Sequence, residues 1–177
     1  HADATAGAIV TSDDALAERL GFARNAVGTA LAPFEAWLVL RGLETLWVRI
    51  DRGQRTAGRI ARWLAERPEV TAVYWPGLDR HPGRALHARQ ASGPGAVLSF
   101  TTGSEARSSA IADHLRWFTR SVSFGSAHSV VTLPCRSSHA SIPAGERTLP
   151  PDLVRLSIGL EDPEDLLDDL AAAFAVS

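Results

Sequence analysis

The chain is 177 residues long, 45% hydrophobic and 21% charged, with a formal charge of −2, which gives room for one fair-sized domain or a domain plus the tail of another. Acidic and basic residues are interspersed, so there is neither a basic stripe for nucleic acid nor an acidic tail, and the apolar runs fall far short of the ~20 residues that a membrane span needs. All 18 basic residues are arginine, which removes every side-chain amine from the chain's own chemistry.

The first element expected is a short buried strand, Ala6 to Thr11, followed by a helix capped at Ser12-Asp13-Asp14 and running to about Arg24. Pro33 opens a second helical stretch, with Phe34, Trp37, Leu38 and Arg41 at helical spacing, which is expected to pass Gly42 and continue as one amphipathic run to Arg67-Pro68. In that run Trp47, Ile50, Gln54, Ala57, Ile60, Ala61 and Leu64 share a side. Beyond Pro68 strands alternate with helices: strand Val70 to Trp75, helix Arg84 to Gln90, strand Ala96 to Thr101, helix Ser104 to Trp117 and strand Thr119 to Phe124. Gly125 to Pro151 has no sustained period and reads as one long irregular segment, of the kind that is usually functional. Leu153 to Leu160 is a strand, and Asp162-Pro163-Glu164-Asp165 starts the last helix with a cap, a first-turn proline and early acids.

The sequence has no methionine and opens at His1, and a strand at its first residues has lost its neighbours, so it is expected to be the C-terminal part of a larger subunit. The segment after His1 lacks the charged start and apolar core of a secretory signal. The single cysteine, Cys135, has no internal disulfide partner, which fits a reducing cytoplasm.

Chemistry concentrates near the C-terminus. Alternation along Leu153 to Leu160 puts Val154, Leu156, Ile158 and Leu160 on one face and Arg155, Ser157 and Gly159 on the other. An arginine among small residues on a rigid strand is placed for a two-pronged grip on a carboxylate, since its planar fork matches the two oxygens. From this strand alone, an arginine on a solvated sheet face is an equal reading. The six histidines show neither HxH nor HExxH spacing and the cysteine has no CxxC partner, so no metal site is expected. Ser123, Ser126, Ser129 and His128 sit in no G-x-S-x-G elbow, which leaves a nucleophile-and-base reading weak. The five tryptophans lie mostly on apolar faces and are better read as core or subunit contacts.

Phrases along the whole chain occur in the order of one family. They are Asn25-Ala26-Val27-Gly28, Leu40-Arg41-Gly42-Leu43-Glu44-Thr45-Leu46, Ala88-Arg89-Gln90, Val97-Leu98-Ser99-Phe100, Ser123-Phe124-Gly125, Ser138-His139-Ala140 and Leu153 to Asp162. In combination they resemble the pyridoxal-phosphate enzymes of cysteine and methionine metabolism, the cystathionine γ-synthases, cystathionine γ-lyases and methionine γ-lyases. The resemblance implies an α/β fold of the fold-type I PLP-dependent transferases. Residues 1–60 would be the tail of the large cofactor domain, with the start of the long interdomain helix, and residues 61–177 an α+β small domain. His1-Ala2-Asp3 resembles the family's His-Ser-Asp, which implies that the Schiff-base lysine lies just upstream of His1, that most cofactor contacts are outside this chain, and that no catalytic residue is within it.

By the same resemblance Arg155 grips the substrate carboxylate, assisted by Ser123. His128 stands where cystathionine lyases commonly carry a glutamate near the substrate's far end, so an acceptor for an ammonium group has become an imidazole. Arg136-Ser137-Ser138-His139 also departs from the family's usual methionine and threonine before the histidine. Neutral loop drift is the competing account of both. The function implied is a carbon–sulfur lyase of trans-sulfuration acting by elimination on a cysteine- or homocysteine-type sulfur amino acid, with pyridoxal 5'-phosphate as cofactor and a homotetramer, a dimer of dimers, as the assembly. A γ-replacement synthase and a non-catalytic remnant are the alternatives.

Overall fold

The computed structural model describes residues 3–137 and 148–177; the phrase Ser138-His139-Ala140 and residues His1 and Ala2 lie outside them. The described chain forms two compact units, residues 1–47 and 48–177, which divide between Trp47 and Val48.

The first unit holds α1 (Asp14–Val27) and α2 (Pro33–Leu43). The Asp13 carboxylate accepts from the Leu16 amide at 3.0 Å, and α1 ends at Gly28, whose φ of 76° is the left-handed turn that glycine adopts without penalty. Ala6 to Thr11 does not form the expected strand. Among the described residues nothing pairs with it, and Ile9 and Val10 are 77% and 93% exposed; an apolar run becomes a strand only where a neighbour takes its backbone groups. No residue of α1 or α2 is buried.

α3 (Leu46–Ala65) is separated from α2 by a turn at Glu44-Thr45, where a continuous helix was expected. Its apolar stripe is as expected from Ala57 to Leu64: Ala57, Ile60, Ala61 and Leu64 are fully buried. The upper part of the expected stripe is not, since Trp47 is 72% and Ile50 39% exposed. Because these buried positions pack within the second unit, most of α3 belongs with it.

The second unit is built on a five-stranded sheet in the order β1 (Ala72–Tyr74), β2 (Val97–Thr101), β5 (Val154–Ser157), β4 (Val130–Thr132), β3 (Thr119–Arg120). All neighbours are antiparallel except β3 and β4. α4 (Arg84–Gln90) follows β1, α5 (Glu105–His114) follows β2 and α6 (Pro163–Ala175) closes the chain. Leu98, Phe100, Val131, Val154 and Leu156 of the strands form one core with Ile60 and Leu64 of α3, Ile111 of α5, and Leu166, Leu170 and Phe174 of α6.

Three further expectations give way to tertiary contacts. α5 stops at His114 instead of Trp117, because the amides of Arg116 and Trp117 donate to the Asp169 carboxylate of α6 at 2.9 to 3.0 Å. β3 has two residues and not six: Ser121 still donates its amide to Val131 O at 3.2 Å and accepts the Thr132 hydroxyl, but beyond it the chain is held by the Arg155 and Ser157 side chains and not by a strand ladder. The stretch expected to be irregular contains β4 and a short 3-10 helix, Pro134–Arg136. All three β4 residues are buried, so no inside–outside alternation marks the strand. Cys135 is buried in the 3-10 helix.

Candidate substrate-binding site

β5 is the middle strand of the sheet. Val154 and Leu156 enter the core, and Arg155 therefore projects from the opposite face. In register across that face lie Ser99 of β2 on one side and Thr132 of β4 on the other, with Tyr74 of β1 beyond Ser99. Serine and threonine are short, so the guanidinium stands above its flanking strands.

The segment after β3 lies against this arginine. Arg155 Nη2 donates to the Val122 carbonyl at 2.7 Å, and its guanidinium carbon is 5.4 Å from the centroid of the Phe124 ring. Among the described residues no carboxylate pairs with Arg155, although Arg55, Arg59, Arg84, Arg120 and Arg136 each have one. A half-buried guanidinium with one carbonyl contact among the described residues has donors to spare for a ligand. Its chemistry selects a planar, doubly accepting anion.

Ser123 lies between the two residues that touch Arg155 and is exposed, with its amide 3.5 Å from Ser121 Oγ. His128 is further along the same segment, with an 84% exposed side chain whose Nδ1 is 4.0 Å from Glu161 Oε1. Arg155 and Ser123 are thus brought to one patch by neighbouring residues, whereas no hydrogen bond among the described residues joins either to His128.

The backbone of this segment is fastened to the end of β5, a feature that sequence reasoning missed. The Gly125 amide donates to Ser157 Oγ at 3.0 Å, and the Leu160 amide donates to Ala127 O at 2.8 Å. Ser129, fully buried, donates through its amide to Glu161 Oε1 at 2.7 Å and through its hydroxyl to Glu161 Oε2 at 2.8 Å, while the same hydroxyl accepts the Gly159 amide at 2.9 Å. Gly159 is needed for the approach: a Cβ there would lie 2.4 Å from Ala127 O and 2.6 Å from His128 C. Alternation places Ser157 and Gly159 on the arginine face, and that is the only trace of the fastening that the sequence carries.

A family model described as Cys/Met metabolism PLP-dependent enzyme matches residues 1–175. The chain is 46% identical over 177 residues to the chloroplastic cystathionine beta-lyase of Arabidopsis thaliana, which covers 98% of this chain and 38% of that protein. It is 39% identical over 174 residues to the cystathionine gamma-synthase of Mycobacterium tuberculosis, covering 98% of this chain and 45% of that one. Among solved structures, cystathionine gamma synthase from Xanthomonas oryzae pv. oryzae in complex with cystathionine superposes with a TM-score of 0.89 at 42% identity, over 94% of this chain and 44% of its own. The chain spans less than half the length of these relatives.

Proposed function

Since this chain belongs to the Cys/Met metabolism PLP-dependent enzyme family, we propose that the protein it forms part of is a carbon–sulfur lyase, acting by elimination on a cysteine- or homocysteine-type amino acid. Within that reading residues 1–60 are the tail of the large domain and residues 61–177 the small domain that holds the substrate. Pyridoxal phosphate, when bound, supplies the electron sink that makes a bond at the amino acid's α-carbon breakable.

The residues present fit the substrate side of such a site and not the aldehyde anchor. The sequence has no lysine, so no side-chain amine here can hold the cofactor covalently. Arg155 is the observation that carries the proposal: a guanidinium on the central strand, with no carboxylate partner among the described residues and with an aromatic ring beside it. It receives the substrate carboxylate through two parallel N–H···O bonds, which fixes the amino acid's orientation and so decides which α-bond faces the cofactor. Ser123, exposed beside it, adds a hydroxyl donor to the same carboxylate. His128 stands toward the far end of the substrate, where an imidazole in place of a carboxylate favours a non-standard thioether or S-modified cysteine over cystathionine, whose far end carries a second ammonium. The single cysteine supports a cytoplasmic setting. The exposed Phe22, Phe34, Trp37 and Leu40 of the first unit support association with the rest of the protein and with further subunits.

A second reading has its own support, because a cystathionine gamma-synthase stands beside the beta-lyase among the relatives. Incubating the full-length protein with cysteine, methionine, cystathionine and O-acylhomoserine, while following keto acid and thiol, separates the two. Keto acid from a sulfur amino acid alone is the expected result. Turnover confined to the acylhomoserine makes the protein a γ-replacement synthase, and turnover of none makes it a non-catalytic remnant.

A further inference from the structure

We propose that Glu161 is a positioning residue for substrate binding: without touching substrate, it holds segment 121–129 in the place from which that segment steadies Arg155 and presents Ser123. The inference rests on the reading of Arg155 as the carboxylate grip. The Glu161 side chain is 13% exposed, and no arginine among the described residues pairs with it. Among the described residues its nearest cationic candidate is His128 Nδ1 at 4.0 Å, beyond hydrogen-bond reach. A carboxylate sequestered in this way is stable only if hydrogen-bond donors replace water. Among the described residues the donors are the amide and hydroxyl of Ser129, at 2.7 and 2.8 Å.

The Ser129 hydroxyl also accepts the Gly159 amide, so Glu161, Ser129 and Gly159 close a ring that joins the end of β5 to the start of β4. This ring is one of three fastenings, among the described residues, of the segment to the end of the strand bearing Arg155. The others are the Ser157 hydroxyl, which accepts the Gly125 amide at 3.0 Å, and Ala127 O, which accepts the Leu160 amide at 2.8 Å. Val122 and Phe124, which touch the guanidinium, lie in the part of the segment just before Gly125. Cutting the ring leaves the end that carries Ala127 and His128 held by the Leu160 amide and no longer by Glu161, and the looser segment lets the arginine adopt rotamers that miss the carboxylate. Glutamine at 161 keeps one oxygen for the Ser129 amide, and its amide group can donate to the Ser129 hydroxyl. Alanine keeps neither.

The test uses the full-length holoenzyme and the sulfur amino acid it turns over best. Glu161→Ala is expected to raise KM by about tenfold or more with kcat changed less than about threefold, and Glu161→Gln to restore KM to within about threefold of the parent, since loss of ground-state positioning appears in KM. The cofactor absorbance of both should equal the parent's. In a cycle with Arg155→Ala, the double variant should be no worse than Arg155→Ala alone, because the two residues act through one grip. An unchanged KM, a loss carried by kcat, no rescue by glutamine, or additive effects would each overturn the inference. Should Glu161→Ala fail to accumulate as holoenzyme, Ser129→Ala, which removes the shared hydroxyl, must show the same rise in KM. If Arg155→Ala leaves KM unchanged, the carboxylate reading itself fails; if it raises KM and the Glu161 and Ser129 variants do not, only the positioning role is lost.

Discussion

Arg155 makes a sharp case at the scale of one side chain because its partners among the described residues are so few. Its hydrogen bond to the Val122 carbonyl and the Phe124 ring orient it without neutralising it. Truncation to alanine therefore removes little that holds the fold, and the midpoint of thermal unfolding is expected to move by no more than about 3 °C. Its effect on catalysis should be large: two charge-assisted hydrogen bonds at about 1.5 to 3 kcal/mol each give a fall in kcat/KM of about two to four orders of magnitude. Arg155→Lys keeps the charge but not the fork, so it should recover only part of the loss. Equal stability with unimpaired kcat/KM in the alanine variant would return Arg155 to an ordinary residue of a solvated sheet face. The position of this residue was legible because apolar and polar residue types alternate over Val154 to Ser157, although Ser157 is buried. Its surroundings were not, since Val122 is 33 positions away in the chain.

At the scale of elements, what the sequence conveys depends on whether an element is set by its own residues or by distant ones. α6 announces itself through the Asp162 cap, which accepts the Glu164 amide at 2.9 Å, and through Pro163 in the first turn. α4 and the buried stripe of α3 are likewise local patterns. The end of α5 is not local. Asp169, 8% exposed, takes the Arg116 and Trp117 amides from 53 and 52 positions away and so stops the helix three residues early. That contact carries a stability expectation: Asp169→Ala strands two amides at a packed helix end and should cost about 2 to 4 kcal/mol. In urea the unfolding midpoint should fall with the slope unchanged. Asp169→Asn, which retains one acceptor, should lose less. An alanine variant as stable as the parent would mean that Leu115, whose amide closes the helix on Ile111 O at 3.3 Å, ends α5 unaided. β4 escaped notice for the opposite reason: three residues buried on both faces have no period to read.

For the whole molecule the decisive feature is a division of chemical labour. The family is PLP-dependent, yet 18 cationic side chains here are all guanidinium, and a guanidinium does not condense with an aldehyde as a lysine amine does. What the chain retains suits recognition of the amino acid, in the form of Arg155 on a central strand with a fastened segment beside it. The covalent anchor is therefore expected to lie in the remainder of a protein whose relatives are more than twice as long as the residues they share with this chain. Reducing the full-length protein with borohydride, digesting it and mapping the pyridoxyl label tests this directly. The label should fall on a lysine outside these 177 residues. Prior addition of a sulfur amino acid should lower its yield, because the amino acid's own amine would compete with the lysine for the aldehyde. A label within the 177 residues would defeat the division argued above. So would a full-length protein with no reducible adduct, and in that event the arginine patch would bind a carboxylate for some purpose other than catalysis.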